Sequence, residues 1–278
     1  MAVALAALAV AAAWPSWLEI WGIATRDQEN SHILLALPVA IWLAWLRRSR
    51  VRHVRPRAHL AGLGILIVGM VGEVVGFRAE IDIARHLGAI LMVVGAVVAV
   101  LGPKLLVEFK PSAMALVFLL PIPGRLRSEI ANPLQEMSAQ FTEFCLGLFN
   151  VPISREVNFL MINGQQVAIA EACNGMRMVS ALALVSFFFV FSVPMRNGLR
   201  VLILALSPVV ALVVNIIRLI PTTLMYGYTN NEAATLFHDL SGWAVLGVAL
   251  AILWGFVSLL RWLEVPVDPY PVAKGAAS

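Results

Sequence analysis

Apolar residues fall along this chain in long blocks, separated by short polar stretches. A helix that crosses a bilayer needs about 20 largely apolar residues. Blocks that meet or approach this length cover 2–22, 31–46, 58–76, 83–101, 112–122, 176–193, 200–220 and 242–260. The pattern predicts an all-α fold, a polytopic membrane helix bundle of about eight transmembrane helices. The second and fifth blocks are short, which leaves open that one of them is re-entrant. Trp14, Trp17 and Trp21 form an interfacial belt at the end of the first block. No basic stretch precedes that block, so a retained helix is expected rather than a cleaved leader.

One polar stretch is long and has its own periodicity. In 123–175, Asn132 and Pro133 read as an N-cap and a first helical residue. After them Leu134, Met137, Phe141, Phe144, Cys145 and Leu148 recur at three- and four-residue spacing. Gln135, Glu136, Ser138, Gln140, Thr142 and Glu143 fill the other face, giving an amphipathic helix suited to the headgroup plane. Next, Val157 to Ile162 and Gln165 to Ala170 flank Asn163-Gly164, a two-residue hairpin signal. The organisation expected is a single transmembrane domain over 1–264 with an exoplasmic insert at 123–175. A disordered cytoplasmic tail rich in Pro, Ala and Gly follows at 265–278.

Composition supports the membrane reading. Hydrophobic residues make up 60% of the chain and charged residues 13%, against roughly 25% charged in soluble domains. The net charge of +4 is concentrated: Arg47, Arg48, Arg50, Arg52, Arg55 and Arg57 crowd one loop. By the positive-inside rule that loop is cytoplasmic. Alternating spans then place both termini inside and put 23–30, 77–82, 123–175 and 221–241 outside. The arginine loop lacks interleaved aromatics for base stacking, so no nucleic-acid partner is expected.

Three reactive side chains gather at the predicted outer edge. Cys173 stands in EACNGMRM, Arg218 in NIIRLIP and His238 in FHDLSGW. Asn174 and Gly175 are poor helix-interior residues, so a span begins beside Cys173. There the positive end of the helix dipole favours thiolate, and unpaired N–H groups offer an oxyanion site. Arg177, four residues on, shares its helical face. Arg218 interrupts an apolar run, where an arginine costs roughly 2.5–3.5 kcal/mol at mid-helix. Asn215, three positions earlier, can orient its guanidinium, and Pro221 is expected to end that helix. His238 supplies an imidazole able to take and return a proton.

Other readings of these residues exist. Cys145 and Cys173 are the only cysteines, and both fall on the predicted outer side. A disulfide between them is chemically allowed, although Cys145 fits a buried thiol on an apolar helix face. His32 also begins a span on that side, as a second candidate base or a substrate contact. Glu73 lies inside the third block, where helix pairing is its only evident use. Metal binding through His238 lacks further ligands within helical reach, so no metal and no other cofactor is expected.

With these residues in place, the chain resembles the exosortase/archaeosortase family of membrane-embedded cysteine transpeptidases. Asn30-Ser31-His32 is similar to the family's Ser-His-Gly stretch, with Ile33 where glycine is usual. Asn132-Pro133-Leu134-Gln135 resembles its Pro-Leu-Gln element, and Ala172-Cys173-Asn174-Gly175-Met176-Arg177 its Ala-Cys-Ser-Gly-Leu-Arg box. Asn215-Ile216-Ile217-Arg218 resembles its Asn-x-x-Arg element. Phe237-His238-Asp239 with Gly242-Trp243 resembles the closing His-to-Gly element. The resemblance implies Cys173 as nucleophile, His238 as base and acid, and Arg218 as the third catalytic member. Arg177, Asn215, Asn174 and His32 would then bind substrate or support the site.

The resemblance also implies a setting. The enzyme would sit in a prokaryotic cytoplasmic membrane among lipids, with its site facing outward. Its substrates would be exported proteins ending in a Pro-Glu-Pro-like motif, a transmembrane helix and a basic tail. The acceptor nucleophile stays open, a lipid among the candidates, as does transfer against hydrolysis. Asn174 in place of serine points to a subfamily with a different signal. A non-enzymatic transporter or assembly scaffold is the alternative class. Such proteins place polar residues mid-membrane in broken helices, whereas here they gather at one edge.

Overall fold

The computed structural model describes residues 1–54, 58–156, 159–168 and 175–263. Every apolar block contains helix, although 112–122 leaves it after Leu119 and, among the described residues, fewer than the eight expected spans are long enough to cross a membrane. The first block is broken, because α1 (Ala2–Ala12) and α2 (Trp14–Arg26) meet at 77°. Pro15 in the first turn of α2 has no N–H to bond back into α1. Then come α3 (Ile33–Leu46), α4 (Leu60–Arg78), α5 (Asp82–Leu101) and α6 (Lys104–Glu108). Next is α7 (Lys110–Ala115), which continues as a 3-10 turn over Leu116–Leu119. The helix α8 (Gly124–Leu148) leads to strands β1 (Ile153–Glu156), β2 (Phe159–Ile162) and β3 (Gln165–Ala168). The chain continues through α9 (Gly175–Ser192), α10 (Asn197–Tyr228) and α11 (Asn231–Trp262).

This is an all-α membrane bundle carrying one small sheet. Among the described residues, α4, α5, α10 and α11 are long and apolar enough to cross a membrane, and the α1–α2 pair would make five. Ile33–Leu46, Lys110–Leu119 and Met178–Ser192 are apolar but shorter. Contacts divide the chain into two compact units, Met1–Leu126 and Arg127–Ser278.

In the first unit, glycines let α4 and α5 approach until their backbones touch. Gly62, Gly69 and Gly76 recur every seven residues on α4, with Gly88 of α5 against Gly69 and Glu73 and Gly95 against Leu66. A Cβ at Gly88 would lie 2.5 Å from the Glu73 nitrogen and 2.7 Å from the Gly69 carbonyl oxygen. Neither atom can retreat without bending a helix. Gly88→Val is therefore expected to destabilise the unit by about 1–3 kcal/mol. A lowered midpoint of thermal unfolding in detergent checks it.

In the second unit the helices enclose an apolar core of Met178, Leu182, Ile203, Val214, Val245 and Leu253. The sheet is antiparallel in the order β1-β2-β3. Asn163 and Gly164 adopt φ of 49° and 74°, the left-handed pair that a tight two-residue hairpin requires. Leu160, Ile162 and Val167 bury one sheet face against Ala139 and Leu146 of α8 and Leu219 of α10. Asn163 Nδ2 donates to the Gly227 carbonyl at 3.0 Å. A Cβ at Gly227 would meet the Ile162 side chain at 2.8 Å, so the hairpin seats on glycine near the end of α10.

The structure alters three expectations. β1 was not anticipated; its short exposed segment ISRE gives no alternating apolar signal. Helix α8 starts at Gly124, not at Asn132, and passes through Pro133. Pro133 is exposed, where water can take the carbonyl that the proline leaves unbonded. Likewise α10 does not stop at Pro221 but runs to Tyr228. Thr222 Oγ1 donates to the Arg218 carbonyl at 2.8 Å, a side-chain bond beside the one the proline cannot make. The tail 265–278 and residues 157, 158, 169 and 170 of the expected hairpin arms lie outside the described residues.

Candidate functional site

Helices α10 and α11 are joined by two residues, Thr229 and Asn230. Asn230 caps α11, its side chain accepting from the Ala233 N–H at 2.8 Å. Each helix has 32 residues, roughly 48 Å at the usual rise, against a hydrocarbon core of about 30 Å. Arg218 lies about 15 Å before the end of α10, and Gly242 about 16 Å after the start of α11. The two therefore come level across the hairpin. Contact confirms it, since a Cβ at Gly242 would sit 3.7 Å from Arg218 Nη1. His238 is one turn from Gly242 on the same face of α11.

Arg218 is 4% exposed. A guanidinium so enclosed must be hydrogen-bonded. Its Nη2 donates to Asn215 Oδ1 at 3.3 Å. Asn215 Nδ2 in turn donates to Ser138 Oγ on α8 at 3.1 Å, and Ser138 has no exposed surface. Asn215, expected to orient the arginine, is thus hydrogen-bonded to it. Arg218 Nε and His238 Nε2 are both shielded from solvent. The His238 carbonyl accepts from Ser241 Oγ at 3.0 Å, a bond within the turn that carries the ring.

Helix α8 has three stripes where two were expected. Met137, Phe141, Phe144 and Leu148 are exposed, while Ala131, Ser138, Ala139, Thr142 and Leu146 are buried. Glu136 and Glu143 lie on another side, 3.6 and 3.8 Å from Arg155 of β1. Ser138 and Thr142 were assigned to a solvated polar face; they are small enough for close packing and lie inside. Hydropathy alone counts a serine as polar wherever it sits, so the pattern could not single out Ser138.

The remaining candidates are placed as follows. Cys173 and Asn174 lie outside the described residues. Arg177 is placed by its backbone only, in the first turn of α9. Cys145 is a free thiol in α8, which removes the disulfide reading of the two cysteines. His32 belongs to the first unit and is 4% exposed, with Nδ1 3.4 Å from the Glu29 carbonyl at the head of α3. Nearby in the same unit, Asn30 Oδ1 accepts from the Ile122 N–H at 3.2 Å.

The first unit holds a polar cluster that the sequence did not reveal. Ser16 Oγ donates to Glu73 Oε1 at 2.6 Å and accepts from Arg85 Nε at 3.2 Å. Arg85 also pairs with Glu19, and His86 Nε2 lies 3.4 Å from the same carboxylate. Glu73 thus has a partner across helices, as its place in an apolar block required. A separate apolar cavity of about 800 Å³ lies among α2, α3 and α5, lined by Trp14, Trp17, Trp21, Leu37 and Ile90. It contains none of the candidate reactive groups.

Residues 17–255 match the family model described as transmembrane exosortase. No curated protein and no solved structure matches the chain.

Proposed function

Because the chain belongs to the transmembrane exosortase family, we propose that it is a cysteine protease-transpeptidase cleaving C-terminal sorting signals at the outer membrane face. Family membership makes it a membrane-embedded enzyme of protein sorting. The observation that carries the finer reading is Arg218: a buried guanidinium oriented by Asn215, beside Gly242 and one turn from His238. A structural arginine near a membrane edge normally snorkels to water. This one is instead enclosed and aimed at the helix that carries an imidazole.

In the proposed reaction Cys173 Sγ attacks the scissile carbonyl carbon while His238 accepts the thiol proton. The developing oxyanion is met by the Arg218 guanidinium, already oriented and shielded from water. Collapse breaks the C–N bond, His238 returns the proton to the leaving amine, and a thioester on Cys173 remains. An acceptor nucleophile then attacks the thioester and restores the thiol. The substrates are exported proteins with a short motif, a transmembrane helix and a basic tail. Such a tail would lie on the cytoplasmic side, with the scissile bond beyond the opposite edge of the bilayer.

The test is to trap the intermediate. Enzyme mixed with substrate and quenched in acid should carry the substrate fragment on the peptide containing Cys173, released by neutral hydroxylamine. Processing that proceeds with no hydroxylamine-labile adduct at any time point would refute the covalent reading.

A further inference from the structure

We propose that Ser138 is a positioning residue, holding Asn215 in the one orientation that presents its oxygen to Arg218. The inference rests on the catalytic role given to Arg218 above. Arginine has only donors, so the Asn215 atom facing it must be the carbonyl oxygen. That places the Asn215 amide nitrogen toward α8, where Ser138 Oγ accepts from it at 3.1 Å. Ser138 has no exposed surface and Asn215 is 3% exposed. No water replaces this bond without displacing protein. Were the serine oxygen removed, the buried amide would lose its acceptor, and a flipped amide would turn NH2 toward the guanidinium, donor against donor. Ser138 therefore selects the amide rotamer, and the rotamer steers the guanidinium.

Helix α8 has the features such a role needs. Ala139, Thr142 and Leu146 are buried beside Ser138, and Leu146 and Ala139 also belong to the core under the sheet. On another side, Arg155 of β1 lies between Glu136 and Glu143. The serine is thus fixed by its own helix rather than by the arginine it serves. Thr142 makes a useful contrast, because its hydroxyl donates only to the Ser138 carbonyl of the same helix, at 2.8 Å. Thr142→Val removes a buried hydroxyl from the same helix and leaves the hydrogen bonds of the Asn215–Arg218 pair as they are.

The experiment is a double-mutant cycle in full-length enzyme, with Ser138→Ala, Asn215→Ala and their combination, and Thr142→Val as packing control. Processing kinetics are read as kcat and KM separately. Ser138→Ala should lower kcat about tenfold with little change in KM, the scale of one orienting hydrogen bond. In the Asn215→Ala background it should have no further effect, because its partner is already gone. Thr142→Val should keep the normal kcat. Equal losses from Ser138→Ala in both backgrounds, a change confined to KM, or a matching loss in Thr142→Val would each overturn the proposal. An unaffected Ser138→Ala alongside an inactive Arg218→Ala would also overturn it, while leaving the catalytic reading intact. Full processing by Cys173→Ala would instead remove that reading.

Discussion

Arg218→Ala is expected to lower substrate processing by at least about 10³-fold while the protein still accumulates in the membrane. Two parts of this expectation have separate causes. The catalytic part follows from preorganisation. The guanidinium is enclosed and hydrogen-bonded to Asn215 before substrate arrives, so it need not reorganise as negative charge develops. The folding part follows from charge. Truncation removes the charge along with its side chain, so no buried guanidinium is left without its hydrogen bonds. The Asn215 oxygen loses its donor, a penalty of about 1–3 kcal/mol. Arg218→Lys sharpens the test. An ammonium keeps the charge but lacks the planar fork, so it cannot face Asn215 and a substrate oxygen together. It should remain at least about 10²-fold impaired. Lysine activity near that of the parent protein would show that charge alone matters and that the orientation seen here is incidental.

The sequence reading succeeded where residues carry signals independent of their surroundings. Apolar blocks declared helices, four or five of them long enough to cross a membrane among the described residues, and Asn163-Gly164 declared its turn because few residues tolerate two successive positive φ values. Arg218 was conspicuous because a cation in an apolar run needs a reason, and the i−3 spacing already named Asn215 as its partner. The reading failed where meaning depends on what lies opposite. Ser138 is unremarkable until α8 is packed and its oxygen is found against Asn215. Glu73 looked solitary because Ser16 and Arg85 stand 57 and 69 positions apart from their partners in the cluster. The two prolines misled for a related reason. Proline disfavours a helix interior locally, but a helix of 25 or 32 residues held along its length tolerates one missing bond.

His238→Ala should cost about 10²–10⁴-fold in kcat, and a second measurement separates its role from that of Arg218. A general base acts on the nucleophile before substrate is present, whereas an oxyanion donor acts only once the carbonyl has been attacked. The cysteine itself therefore reports the difference. In a Cys145→Ser background, which leaves Cys173 as the single thiol, alkylation by iodoacetamide follows the thiolate fraction. Loss of the imidazole should slow alkylation of Cys173 near neutral pH, and the two variants should converge at high pH, where hydroxide ionises the thiol without help. Arg218→Lys, which keeps the local positive charge, should alkylate at close to the parent rate despite its poor turnover. The placement of His238 one turn from Gly242, which itself lies against Arg218, suits this division, because the two groups are carried by different helices. Unchanged alkylation in His238→Ala, together with a large loss of turnover, would move the histidine from activating the thiol to protonating the leaving amine.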